Sequence, residues 1–222
     1  MKDNKDEKDE KRNNKKEIKK KKEKKEEAEK ALFIQRLCAY LIDIVIISFI
    51  AGLIAVPFID AEQYNKYSKD LKEMTQKFTT NEMNSEEYLI QSETLTYNIS
   101  RLSGPTTFIT VVLGVLYFIV FQVYNAGKTI GKKITGIKVI SEDGDLTINQ
   151  MIFRSFIANS ILLNIINIVL LITMNKSGYI YTYGGFELVQ YIITIVSLFM
   201  VMFSKDGKAI HDRLVHTKVI RG

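Results

Sequence analysis

The sequence predicts an all-α membrane protein: a bundle of four transmembrane helices with both termini cytoplasmic, plus two short cytoplasmic strands. Two observations carry that prediction. Four apolar runs, Leu37–Ile59, Pro105–Tyr124, Ser155–Thr173 and Phe186–Phe203, each lie within the ~17–25 residues that cross a hydrocarbon core. Charge is segregated from them: of 31 basic and 25 acidic residues, the first 30 positions hold 14 and 10. Helices buried in a soluble core usually keep a polar stripe, which these runs lack. The 46% hydrophobic content excludes disorder of the whole chain. A single cysteine, Cys38, excludes a disulfide framework. The 222 residues suit one modest domain, residues 33–222, behind a charged leader, residues 1–32.

The leader interleaves Lys and Glu, with Glu17→Lys21 and Glu26→Lys30 in the favourable i,i+4 order. It reads as a solvated tail, with attraction to anionic lipid headgroups as the sharper alternative. No aromatic residue precedes Phe33, so nucleic-acid binding is not expected. The leader is too long, and the first run too extended, for a secretory signal. Run one contains one formal charge, Asp43. Residues 60–104 form an outer loop with eight acidic and five basic residues and helix-compatible stretches. Run two opens at Pro105, where a missing N–H costs little. Gly52 and Gly114 fall inside spans, where small residues permit close helix approach. After run two come Lys128, Lys132, Lys133 and Lys138; after run four come Lys205, Lys208, Arg213, Lys218 and Arg221. Basic residues near span ends stay cytoplasmic, which places both termini inside. The outer link between runs three and four, Met174–Gly185, carries only Lys176. Lys133–Ile140 (KITGIKVI) and Arg213–Ile220 (RLVHTKVI) echo each other, and predict two strands that pair at the inner face.

Asp43 is the most informative single residue. An ionisable group inside a span costs about 2.5–3.5 kcal/mol on insertion scales and usually faces the bundle interior. Arg36 shares its helix face, but side chains lean toward the N-terminus, so the two do not meet. Arg154, at the entrance of run three, is the expected cross-helix partner. Two roles stay open for Asp43: a proton or cation site, or half of a structural ion pair. Asn159, Asn164 and Asn167 along run three suit interhelical hydrogen bonds, with a cation pathway as the alternative. The link NAGKTIGKK, Asn125–Lys133, fails as a phosphate loop, because three residues rather than four separate Gly127 from Gly131. The adjacent His211, Asp212 and Arg213 lack a second cluster that would complete a metal site. No serine stands in a nucleophile elbow, and Cys38 has no base beside it. Neither an enzyme nor a cofactor is expected.

Arg36 before the first span, Asp43 within it, and the tail GKAIHDRLVHTKVI together resemble the RDD family of bacterial membrane proteins. The family is named for one Arg and two Asp, here Arg36, Asp43 and Asp212. The segment GKTIGKKITGIKVISEDG, Gly127–Gly144, is similar to the family's Gly-Lys-rich link after the second span. His216 and the length of the outer loop depart from the family pattern. The resemblance implies a cell-membrane protein, and some members are described as cation/proton antiporters. Two classes follow. One is a small transporter in which Asp43 alternates between a monovalent cation and a proton, with Arg36, Arg154 and Asp212 as an inner gate. Four spans are few for a transporter, so that class implies a homo-oligomer or a membrane-protein partner. The other is a non-transporting scaffold or accessory protein whose outer loop binds a partner.

Overall fold

The computed structural model describes residues 30–222. The expectations for the leader, including its attraction to lipid headgroups, concern positions outside the described residues.

Helix α1, Phe33–Ala55, is the first membrane segment. Its buried residues Ala39, Asp43, Ile47, Ala51 and Ala55 recur every fourth position, so one narrow stripe of mostly small side chains faces the bundle. A 3₁₀ turn, Val56–Phe58, with Pro57 in it, ends the segment. The predicted outer loop, residues 60–104, is a helical hairpin. Asp60 accepts from Gln63 N–H to cap α2, Ala61–Thr79, and Asn84 accepts from Glu87 N–H to cap α3, Ser85–Leu102. Phe78 stacks on Tyr88, centroids 4.3 Å apart, and closes the hairpin turn. Across Ser103, α3 leads into α4, Gly104–Val115, with Pro105 in its first turn.

Past Val115 the helix loosens into a π-helical turn, Leu116–Phe121, before a last α turn, Gln122–Tyr124. The π turn shifts the backbone register, and the Phe118 carbonyl accepts from Ser155 Oγ at 3.1 Å. A short helix α5, Ile130–Ile134, and strand β1, Ile137–Ser141, follow. Helix α6, Ile148–Ala158, starts with a Thr147/Gln150 capping box, and α7, Ile161–Thr173, continues it after a break. Asn175 caps α8, Lys176–Phe203, and the chain closes with α9, Ile210–Leu214, and β2, Thr217–Arg221.

Three continuous helices are long and apolar enough to cross a membrane: Phe33–Phe58, Gly104–Tyr124 and Lys176–Phe203. The sequence predicted a fourth unbroken span over residues 155–173. Instead α6 and α7 meet at a 68° bend, where Ser160 takes a left-handed φ of 53°. The bend exposes the Ile157 carbonyl, and Gln190 Nε2 on α8 donates to it at 3.0 Å. An apolar run signals length and composition, and both survive a break whose carbonyl a neighbouring helix satisfies.

The expected loop at Met174–Gly185 is also corrected. Helix α8 has 28 residues, about 42 Å at 1.5 Å per residue, against a ~30 Å hydrocarbon core. Its first turns rise to meet the hairpin: Lys176 Nζ donates to Thr94 Oγ1 at 2.8 Å, and Tyr179 lies edge-on to Tyr97 at 5.5 Å.

At the opposite end, β1 and β2 pair antiparallel, with Val139 opposite Val219 at the centre. The first two residues of each predicted strand instead end α5 and α9, and the next two form the turn into the strand. The Ala31 N–H donates to the Val219 carbonyl at 3.2 Å, so the entry to α1 lies along β2. Ile137, Val139 and Val219 point inward onto Ala39, Ile119, Met151 and Ile161, and this is the hydrophobic core.

The echo in sequence is a repeat in structure. Gly127–Ser141 and Gly207–Arg221 are offset by 80 residues, and each runs positive-φ glycine, five-residue helix, positive-φ residue, five-residue strand. The positive-φ pairs are Gly127 (78°) with Gly207 (59°), and Gly136 (67°) with His216 (53°). Each unit receives the same clamp. Gln35 in α1 accepts from Leu32 N–H and donates to the Thr135 carbonyl at 3.1 Å; Gln150 in α6 accepts from Thr147 N–H and donates to the Val215 carbonyl at 3.0 Å. Thr135 and Val215 are themselves 80 apart. The chain is thus two halves of like design, each a membrane segment holding a helix–turn–strand unit.

Candidate functional site

Between the sheet and the membrane segments lie two buried carboxylates, each fully enclosed. Asp43 receives donors from the first unit and from α4's π turn. Tyr117 Oη donates to it at 2.6 Å, Thr129 Oγ1 at 2.5 Å and the Gly131 N–H at 2.8 Å, with Lys132 Nζ 3.9 Å away. Thr129 also caps α5 by accepting from the Lys132 N–H at 3.2 Å. The contact between α1 and α5 is close enough that a Cβ on Gly131 would collide with the Ala39 carbonyl oxygen and lie 2.8 Å from Asp43 Oδ1. Glycine is required there for space, not for its backbone angle.

Asp212 sits in the second unit at the position Lys132 holds in the first. Its Oδ2 accepts from Arg36 Nη1 at 2.9 Å and its Oδ1 accepts from Arg154 Nε at 2.9 Å. The Ala209 N–H donates to it at 3.3 Å, so Asp212 caps its own helix. Arg36 Nη2 also reaches the Val219 carbonyl at 3.3 Å. Helix α1 is therefore gripped by both units: by the first through Asp43 and by the second through Arg36.

Burial pushes Asp212 up, but Arg154, His211 and Arg36 outweigh it and hold the carboxyl below the usual range. Burial, reinforced by Arg154 against the pull of Asp43, lowers Lys132 to about 7. His211, whose Nε2 is 3.7 Å from Asp212 Oδ1, is lowered to about 4, chiefly by burial, with Asp212 opposing.

These residues floor a crevice of about 170 Å³ between α1 and α8. Arg36, Asp43, Lys132, Arg154 and His211 line its base; Leu37, Tyr40, Ile193 and Val201 line its sides. Asn159 borders it from the α6–α7 break.

The sequence profile of the RDD family matches residues 30–216, nearly all of the described chain. The chain belongs to the RDD family. This RDD protein is also similar to an uncharacterised Bacillus subtilis (strain 168) protein, YxaI, 37% identical over 75 residues, which are 33% of this chain and 46% of that relative. The match thus spans under half the length of that relative. No solved structure matches.

The structure brings Arg36, Arg154 and Asp212 together in one ion-pair cluster. One expected pairing is corrected: Arg154 binds Asp212, not Asp43. The first turn of α6 holds its unit through Gln150, which sets Arg154 one turn on beside α9, while the π turn and α5 enclose Asp43. Arg213 points elsewhere, to Asp206 at 2.7 Å near the surface. Asn167 accepts from Tyr179 Oη at 2.9 Å, an interhelical bond. Asn164 lines a separate cleft with Gly52 and Thr110 toward the hairpin end.

Sequence reasoning missed Tyr117, Thr129, Gly131 and Lys132. Extending the echo six residues upstream aligns Gly127-Lys128 with Gly207-Lys208 and sets Lys132 opposite Asp212. That alignment is the signal that marks the segment as a partner for a buried charge.

Proposed function

We propose that this RDD protein is a non-transporting cell-membrane protein, an accessory or scaffold, and that its buried charges are a structural clasp. The observation that supports this is the saturation of Asp43 by a tyrosine, a threonine, a backbone N–H and a lysine. All four point their protons or positive charge at the carboxylate, so a cation arriving there must first break the hydrogen bonds that hold α5 to α1 and turn the Tyr117 and Thr129 hydroxyls before their oxygens could ligate it. Removing one partner of a buried ion pair costs about 3–5 kcal/mol. In this reading four membrane segments, with α6–α7 as a bent third, place both termini and the sheet in the cytoplasm. Lys128, Lys132, Lys133, Lys205 and Lys208 at the sheet end favour that orientation. The α2–α3 hairpin then stands outside as the partner-binding element. No catalysed reaction and no cofactor belong to this reading.

The second reading is monovalent cation/proton exchange through Asp43, in a homo-oligomer. One observation favours it: the helix broken at Asn159–Ser160 beside a charged crevice, a feature that transporters use at their ion sites. Cation-dependent proton flux in proteoliposomes separates the two. The clasp predicts no flux with Na⁺, K⁺ or Li⁺ from the native chain, and a lower melting temperature for Asp43→Asn. Native flux that vanishes in a folded, monodisperse Asp43→Asn protein would establish exchange and end the clasp reading.

A further inference from the structure

The crevice between α1 and α8 has a composition that the clasp does not use. Its base is lined by three basic groups, Arg36, Lys132 and Arg154, and one carboxylate, Asp43, while Asp212, paired with both arginines, does not line it. Its sides are apolar and belong to helices whose outer faces meet lipid. Among the described residues, two buried polar atoms bordering it have no partner: Arg36 Nε, and Oγ of Ser197, a residue only 8% exposed. Among the described residues Arg154 makes one hydrogen bond, through Nε, out of the five donors a guanidinium carries. The volume of about 170 Å³ far exceeds the ~10–15 Å³ that one water requires.

Unused donors at the base, a surplus of basic groups and a hydrocarbon wall select an occupant with an acceptor-rich anionic head and an apolar chain. We propose that the crevice binds one anionic phospholipid from the leaflet on the sheet side, its phosphate at Arg36, Arg154 and Ser197 and an acyl chain along Leu37 and Val201. Paired guanidinium groups hold phosphate oxygens through charge-assisted hydrogen bonds. The negative head also supplies Lys132 with counter-charge that Asp43, shared among three other donors, provides incompletely. A cation is disfavoured by the same surplus. This inference is independent of the transport question, since a lipid is equally compatible with a clasp or an exchanger.

The test uses the full chain, purified and delipidated in neutral detergent. Phosphatidylglycerol, phosphatidylcholine and inorganic phosphate are titrated separately, with the melting temperature and native mass spectra recorded. One phosphatidylglycerol retained per chain is expected, with a saturating rise of roughly 5–10 °C at a hundredfold excess over Kd. Phosphatidylcholine should give neither. Ser197→Leu fills the crevice without touching an ion pair, so its lipid-free melting should match the native chain while the phosphatidylglycerol effect disappears. If Ser197→Leu fails to fold, the comparison of the three additives on the native chain decides alone. An equal response to phosphatidylcholine, an equal response to inorganic phosphate, no retained lipid, or an effect that survives in a folded Ser197→Leu protein would each overturn the proposal.

Discussion

Gly131 and Gly52 are both glycines in or against a membrane segment, yet their surroundings predict opposite outcomes on substitution. A methyl at Gly131 strikes the Ala39 carbonyl and crowds Asp43, whereas a methyl at Gly52 meets nothing within 4 Å. Gly131→Ala should cost about 1–3 kcal/mol, the range for overpacking, and Gly52→Ala should be near neutral; thermal melting in detergent measures both. The second carboxylate gives a pH prediction. Unfolded, His211 binds a proton near its ordinary 6.5, but folded it does so only at about 4. The unfolded chain therefore holds more protons in that window, and stability falls as pH drops from about 6.5 to 4. Asp212, held below its ordinary 3.8, contributes stability above that value that is lost on further acidification. Melting temperature measured from pH 7 to 4 should decline in the native chain and decline less in His211→Gln, which has no proton to gain.

At the scale of elements, the α6–α7 break rests on one residue with a left-handed backbone. An L-residue in that conformation costs about 1–2 kcal/mol, which glycine avoids. Ser160→Gly should hold or slightly raise the melting temperature, and Ser160→Val should lower it, since Ser160 is the residue that turns the chain through 68°. What was legible in sequence at this scale was whatever depends on composition along the chain: the four apolar runs, the helical character of residues 60–104, and the pair of basic β-branched segments. What was not legible depends on which element lies beside which. The π turn at Leu116–Phe121 is stabilised by a serine 37 positions away, and the break after Ala158 is tolerated because Gln190 lies opposite Ile157. The pairing of Arg154 was misread for the same reason. Charge and depth nominated Asp43 as its partner, while the helix packing that brings α9 under α6 selected Asp212.

Across the whole molecule, two units of one design carry opposite charges at an equivalent position, Lys132 against Asp212. Each half places that charge beneath the sheet, and the opposite charges come from the membrane segments: Asp43 for the lysine, Arg36 and Arg154 for the aspartate. The β1–β2 register, centred on Val139 and Val219, is the one in which two copies offset by 80 residues meet symmetrically. Hydrogen exchange should therefore protect the paired amides of Ile137–Ser141 and Thr217–Arg221 to the same degree and release them together. Independent exchange of the two segments would mean that the sheet does not unite the halves.

The long reach of the Arg36–Asp212 pair, 176 positions apart in sequence, has a consequence for synthesis. The lysine-bearing unit and Asp43 can meet as soon as the second membrane segment has been inserted, with nothing further required from the ribosome. Arg36 waits until nearly the last residues have emerged, and Arg154 waits with it. Until then the nascent chain presents two arginines without a counter-ion at the membrane face, a distinguishing mark of every incomplete copy. A chain stopped after Ser204 keeps all its apolar helices yet retains that mark. Pulse-chase labelling should find it cleared rapidly by membrane quality-control proteases, while the finished protein persists.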